Sequence, residues 1–205
     1  MNAPDLHPIV AGFDHEAFGS QAVFRTALDA LSHPGRPLDM PLAAALPRQG
    51  HGAAAALLLG LLDADTTLWL SAALAGSDAA AWLRFHTGCQ IVVDAAAAQF
   101  VWVAQGDDMP ALNRLRGGSD AYPDTSATCV LEVDGLQADA AGWLLQGPGI
   151  ATQRAVCVTG LPPDFASQWA DNHASFPRGV DVFLSTATQI AGLPRTTCIL
   201  PAVES

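Results

Sequence analysis

Hydrophobic positions follow two rhythms along this chain, and their order predicts its elements. Residues 1–12 carry two prolines and no periodicity, so residues 1–19 are expected to form a loose arm ahead of one domain over 20–205. Ser20 then caps a predicted helix whose Phe24, Ala27, Leu28 and Leu31 share a face, and His33-Pro34-Gly35 stops it. Residues 37–47 form a proline-punctuated connection with room for one short strand. Residues 53–62 are apolar on every side, the pattern of a buried helix, and lead through Asp63-Ala64-Asp65 into a strand at 66–70. Ser77 or Asp78 opens another helix through Trp82 and Leu83, which exits at Gly88.

From there the rhythm changes to strands at 89–93 and 100–103, a short helix at 109–115 and a flexible segment at 117–123. Further strands are predicted at 128–133, 143–145 and 154–158, broken by turns at Asp134-Gly135 and Gly147-Pro148-Gly149. A helix at 164–172 precedes two β-compatible runs, 180–185 and 190–193, which read as a hairpin. Strict βαβ alternation holds only to about residue 93. The expected fold is therefore α/β, a three-layer mixed sheet containing antiparallel pairs, with helices on both faces.

Composition narrows the chemistry. Half of the 205 residues are hydrophobic and 14% are charged, with nine arginines, no lysine and twenty acids, giving a formal charge of -11. A chain so poor in positive charge is not expected to bind nucleic acid. Its longest apolar run falls short of the roughly 20 residues that span a bilayer, and no basic signal region precedes it, so no membrane partner and a cytoplasmic location are expected. Cys89, Cys129, Cys157 and Cys198 are widely spaced in apolar runs and read as free thiols in a reducing compartment. The chain has no lysine for a P-loop or for a covalent bond to pyridoxal phosphate, no G-x-S-x-G elbow and no dinucleotide fingerprint. No cofactor and no metal are expected, since Asp63 and Asp65 read as a solvated turn and the histidines are scattered.

The polar feature that stands out is at the open end of the hairpin. If Ser185 faces Ile190, the register brings Arg178 opposite Thr197, beside Arg195 and Thr196. An arginine fork with threonine hydroxyls suits a phosphate or phosphonate oxygen or a partner's carboxylate. The structural alternative pairs each arginine with an acid of the chain itself, Asp181 among them. A second candidate is Arg84-Phe85-His86-Thr87, where Arg84 faces solvent, Phe85 the core, and His86 either caps the helix or donates to an anion or carboxylate.

Six fragments in register together resemble the PhnH family, a subunit of the bacterial carbon-phosphorus lyase system. They are Phe24-Arg25 with Leu28, Ala30, Ser32, Pro34 and Gly35; residues 57–63 with Leu68-Trp69-Leu70; Arg84-Phe85-His86-Thr87; Gly147-Pro148-Gly149-Ile150; Phe176-Pro177-Arg178-Gly179-Val180-Asp181; and Leu193-Pro194-Arg195-Thr196-Thr197. The resemblance implies a fold like the large domain of pyridoxal-phosphate-dependent transferases without the cofactor site. It also implies an accessory role beside PhnG, PhnI, PhnJ and PhnL subunits, in forming α-D-ribose 1-methylphosphonate 5-triphosphate from ATP and methylphosphonate. It supplies no catalytic residue. Within this reading Arg84, His86, Arg178, Asp181, Arg195, Thr196 and Thr197 are candidate anion or partner contacts, and truncating Arg195 is expected to weaken assembly while leaving the fold intact. The alternatives are a phosphonate- or triphosphate-binding or catalytic subunit of the same pathway, and a non-catalytic self-associating domain; a homodimer suits a sheet of this kind.

Overall fold

The structure, a computed structural model, describes residues 12–42, 45–138 and 142–200; the first eleven residues of the expected arm lie outside them. The elements are α1 (Glu16–Ser32), β1 (Leu38–Asp39), α2 (Gly52–Leu61), β2 (Thr67–Leu70), α3 (Ala72–Ala75), α4 (Asp78–Thr87), β3 (Gln90–Ile91) and β4 (Phe100–Val103). They continue with β5 (Thr128–Glu132), β6 (Gly135–Gln137), β7 (Trp143–Gln146), β8 (Arg154–Thr159), α5 (Phe165–Ala174), β9 (Asp181–Ser185), β10 (Gln189–Leu193) and β11 (Cys198–Leu200). Seven strands form one mixed sheet in the order β1-β10-β9-β5-β4-β2-β3. The run from β9 to β3 is parallel throughout, and β10 is antiparallel to both of its neighbours.

Period-two alternation in the central strands divides the core into two. Trp102, Val130, Phe183 and Ile190 face the layer built by α1 to α4. Val101, Val103, Cys129, Leu131, Val182, Leu184, Ala191 and Leu193 face the other way. The expectation of helices on both faces needs correction there: that face is covered by α5 together with a second, antiparallel sheet in the order β11-β7-β8-β6, whose Leu136, Leu145 and Val156 join the same core. Trp143, Phe165 and Trp169 stack in series between α5 and this sheet, with centroids 5.8 and 6.1 Å apart.

Several other expectations change, the first of them in a way that bears on the surface. Helix α1 begins at Glu16 and buries Val23, Ala27 and Ala30, while Phe24 and Leu28 remain 48% and 51% exposed. Small residues set this rotation. A Cβ on Gly192 would lie 2.4 Å from the Ala30 carbonyl oxygen, and one on Gly60 2.7 Å from Val23 Cγ1, so α1 seats its small face on β10 and α2 and turns its bulky residues outward. The short helix expected at 109–115 is only a 3-10 turn, Leu112–Arg114. The segment expected to be flexible, 117–123, is tied down instead: Gly179 N–H donates to the Gly117 carbonyl at 2.8 Å and Ser119 N–H to that of Tyr122 at 3.1 Å. The strand expected at 89–93 is two residues long, and β6 and β11 were not anticipated.

Candidate functional site

The hairpin has the expected register, Ser185 against Ile190, but its ladder ends at Val182 and Leu193. Thr197 N–H then donates to the Pro194 carbonyl at 2.8 Å, closing a turn that sends the chain into β11 of the other sheet. Arg178 therefore does not pair with Thr197. What the turn does is aim Arg195 back across the start of β9. Its backbone N–H and its Nε donate to Asp181 Oδ1 at 2.8 and 3.1 Å, and its Nη2 donates to Asp181 Oδ2 at 2.6 Å. Nη1 donates to the carbonyls of Pro123 and Pro177 at 3.0 and 3.3 Å, and Nη2 also reaches the Ser126 hydroxyl.

Arg195 and Asp181 side chains are 11% and 24% exposed, so this bidentate pair is largely desolvated. The guanidinium is a clamp: it ties the loop before β5 to the loop before β9. Every nitrogen of the Arg195 side chain donates within the chain, so the alternative weighed above, pairing with Asp181, is what the geometry displays. Arg178 differs. It sits one residue from the clamped Pro177 carbonyl, so the two arginines are brought together, yet its pair with Asp120 (3.3 Å) joins side chains 57% and 80% exposed. Such a pair contributes about 1 kcal/mol at most and exchanges readily.

Thr196 is half-buried in the same turn. Thr197 is fully buried: its carbonyl accepts from Trp169 Nε1 at 2.8 Å, while its hydroxyl has no hydrogen-bond partner among the described residues. His173 Nδ1 lies 2.9 Å from the Arg195 carbonyl oxygen and steadies the turn from α5.

Arg84 and His86 occupy a separate place. They end α4, which leads into the edge strand β3, four strand spacings or about 19 Å across the sheet from β9. His86 meets the rings of Trp82 and Phe85, both at 5.1 Å between centroids, and lines a cavity of about 510 Å³ with Glu16 and Asp63. The expectation that Phe85 faces the core is corrected: Trp82 takes the core position, and Phe85 is exposed beside Arg84. Asp63 Oδ1 accepts from Asp65 N–H at 3.0 Å, which makes that pair of acids a turn.

Glu132 was missed by the sequence reading because it sits inside an apolar strand run. It is buried at the carboxyl edge of β5, about 13 Å along the strand from Thr128, the neighbour of Asp181. Its Oε1 accepts from His51 N–H at 2.5 Å and Trp102 Nε1 at 2.9 Å, and its Oε2 from Gln105 N–H at 3.1 Å. An acid at the end of a buried parallel strand was the available signal.

The cavities at the two edges of the sheet differ in charge: the charged residues of one are all acids, and those of the other are one acid and one arginine. At the carboxyl edge a cavity of about 480 Å³ is lined by Asp107, Asp108, Glu132 and Asp164. At the amino edge a cavity of about 220 Å³ is lined by Gly117, Gly118, Asp171, Ser175, Arg178 and Gly179, among others.

Comparison with known proteins decides the family. Residues 11–200 match the family model described as bacterial phosphonate metabolism protein (PhnH). The chain belongs to the PhnH family. It is 37% identical over 185 residues, 90% of this chain and 92% of the relative, to the α-D-ribose 1-methylphosphonate 5-triphosphate synthase subunit PhnH of Rhizobium meliloti (strain 1021). It is also 35% identical over 182 residues, 87% of this chain and 85% of the relative, to the putative C-P lyase subunit protein HtxG of Stutzerimonas stutzeri. Among the described residues of this PhnH-family chain, no helix is long and apolar enough to cross a membrane.

Proposed function

We propose that this chain is an accessory subunit of a carbon-phosphorus lyase system, required for forming α-D-ribose 1-methylphosphonate 5-triphosphate from ATP and methylphosphonate in the cytoplasm. The observation that carries the reading is the match to a synthase subunit over nine-tenths of both chains. The strand order, with a single antiparallel strand next to the edge strand β1, supports a transferase-like origin for the fold, and the absence of lysine leaves no anchor for that fold's cofactor. Work as a subunit is supported by the surface: Phe18, Phe24 and Leu28 on α1, Phe85 beside Arg84, and Tyr122 and Phe176 beside Arg178 are all exposed. Aromatic residues next to arginine are the composition of interface hot spots. Partners of the PhnG, PhnI, PhnJ and PhnL type, and a homodimer of the isolated chain, follow from this reading.

The test is deletion and capture in phosphate-starved cells. Deletion should abolish growth on methylphosphonate, and the tagged chain should co-purify the other subunits of the system. Intact growth after deletion would overturn the proposal. The second reading, an anion-binding role in the same pathway, is favoured by the Arg178 cavity.

A further inference from the structure

We propose that the cavity at the amino edge of β5 and β9 is an oxyanion subsite for a single phosphoryl or phosphonyl group, with Arg178 as its charged contact and Arg195 as its positioning residue. The inference rests on the accessory-subunit reading for the kind of anion, and on the geometry for the site.

The cavity's volume of about 220 Å³ is below the range of whole cofactor pockets and suits one tetrahedral group with its waters. Arg178 is the only cationic residue among the described residues that line it. Arg114 and Arg116, both exposed, belong to the same wall segment, so three of the chain's nine arginines lie on the two loops that form the site. Part of the wall is backbone. Gly117, Gly118 and Gly179 line it, and the amides of Gly117 and Gly118 donate to no partner among the described residues, whereas that of Gly179 is used by the Gly117 carbonyl. Backbone N–H groups in a glycine turn beside a guanidinium are the donors that cradle phosphoryl oxygens. Ser175 Oγ already donates to the Asp171 carbonyl at 2.9 Å, Gln168 Nε2 to Asp164 Oδ2 at 2.7 Å and Asn172 Nδ2 to the Val180 carbonyl at 3.0 Å, which leaves the glycine amides, the exposed Asn113 side chain and, once Asp120 is displaced, the Arg178 guanidinium to meet a ligand. Asp120, which holds Arg178 in the absence of an anion, is exposed enough to be displaced. Asp171 also lines the cavity, and its carboxylate favours a ligand that carries a proton or a hydroxyl where the two meet.

Arg195 does not touch the anion. It holds the Pro123 and Pro177 carbonyls together and so fixes the distance between the glycine turn and Arg178.

The experiment is calorimetry on the full chain with inorganic phosphate, methylphosphonate and tripolyphosphate as separate titrants, which tells a lone phosphate from a phosphonate and from a polyphosphate tail. Two variants keep it decisive. Arg178→Gln changes an exposed side chain. Gly117→Ala adds a methyl whose nearest neighbour is Gly179 N at 3.6 Å, ordinary contact, so it folds while narrowing the cavity. The expected result is binding of at least one titrant below about 10 mM, weakened by about tenfold or more in both variants with unchanged melting temperature. No heat from any titrant, or equal affinity in the variants, overturns the subsite. Co-purification and growth of Arg178→Gln separate the two proposals: a variant that assembles with its partners but binds no anion keeps both standing, and a wild type that assembles but binds none loses the subsite alone.

Discussion

Truncating Arg195 tests whether desolvation and bidentate geometry separate it from its neighbour Arg178. Arg195→Ala removes both side-chain bonds to Asp181 and the bonds to the Pro123 and Pro177 carbonyls and the Ser126 hydroxyl, and it leaves a carboxylate about three-quarters covered with one backbone donor. Breaking a buried ion pair from one side costs about 3–5 kcal/mol, and the residual exposure of Asp181 puts this site near the lower end, about 3 kcal/mol. Arg178→Ala breaks an exposed pair and should cost no more than about 1 kcal/mol. For a chain of this length that is a fall of roughly 6–12 °C in melting temperature for Arg195→Ala, against a few degrees at most for Arg178→Ala. Urea titration of the isolated chain gives both losses, and the double variant with Asp181→Asn should recover about 1.5 kcal/mol or more as coupling energy. Equal losses at the two arginines, or additivity with Asp181→Asn, would refute the clamp. The expectation that truncating Arg195 spares the fold is revised accordingly: loss of assembly in that variant is to be read only after its stability has been measured.

Thr197→Val replaces a buried hydroxyl without a partner by a methyl of similar shape, so stability should stay level or rise by up to about 1 kcal/mol, and a loss larger than that in urea melts would mean the hydroxyl is bonded. Burial pushes the Cys129 thiol up to about 12 from 9.0. Because the unfolded thiol ionises first, this group should make stability fall as pH rises above 9, by about 1.4 kcal/mol per pH unit, and Cys129→Ala should reduce the observed slope by that share; an unchanged slope in the variant would assign it elsewhere. Cys89, raised by burial against opposing contributions from Thr87 and Arg84, acts with the same sign. Gly192→Ala drives a methyl to 2.4 Å from the Ala30 carbonyl oxygen, a backbone atom that cannot swing away, and should cost about 1–3 kcal/mol, with a melting temperature equal to wild type as the contrary result.

Local chemistry was legible where neighbouring residues decide the outcome. The all-apolar run predicted α2, Ser77 accepts from Ala79 N–H at the start of α4, and the alternation of 180–193 specified the hairpin to the residue pair. What could not be read were contacts between distant segments. Strand β11 pairs with β7 some fifty residues earlier, β6 is three residues long, and neither carries enough alternation to announce a partner. The face of α1 was misjudged for a related reason: bulky residues were assigned to the core, but what α1 lies on is Gly60 and Gly192, and close approach selects Val23, Ala27 and Ala30. The arginine pair was half legible. Register located Arg178 and Arg195 at one end of β9, and only the turn through Pro194 shows that one of them is committed inward.

That division explains how a chain with so little positive charge can still present a polar site. Arg154 donates to the His33 and Pro34 carbonyls, and Arg195 to Asp181 and two proline carbonyls, so two of nine cations are bound into the scaffold. Open α/β sheets take ligands beyond the carboxyl ends of their strands. Here that edge is occupied by a buried carboxylate satisfied by His51, Trp102 and Gln105, and its cavity is lined by acids, a field that opposes any phosphoryl anion. The amino edge is where exposed arginine, glycine backbone and exposed aromatics coincide. Its loops are anchored in the core through Leu115, Ala127 and Val180, and the buried Arg195 ties them to each other. A lysine at position 195 could not do so, because an ammonium lacks the planar fork that grips Asp181 with two nitrogens while a third holds the carbonyls of Pro123 and Pro177.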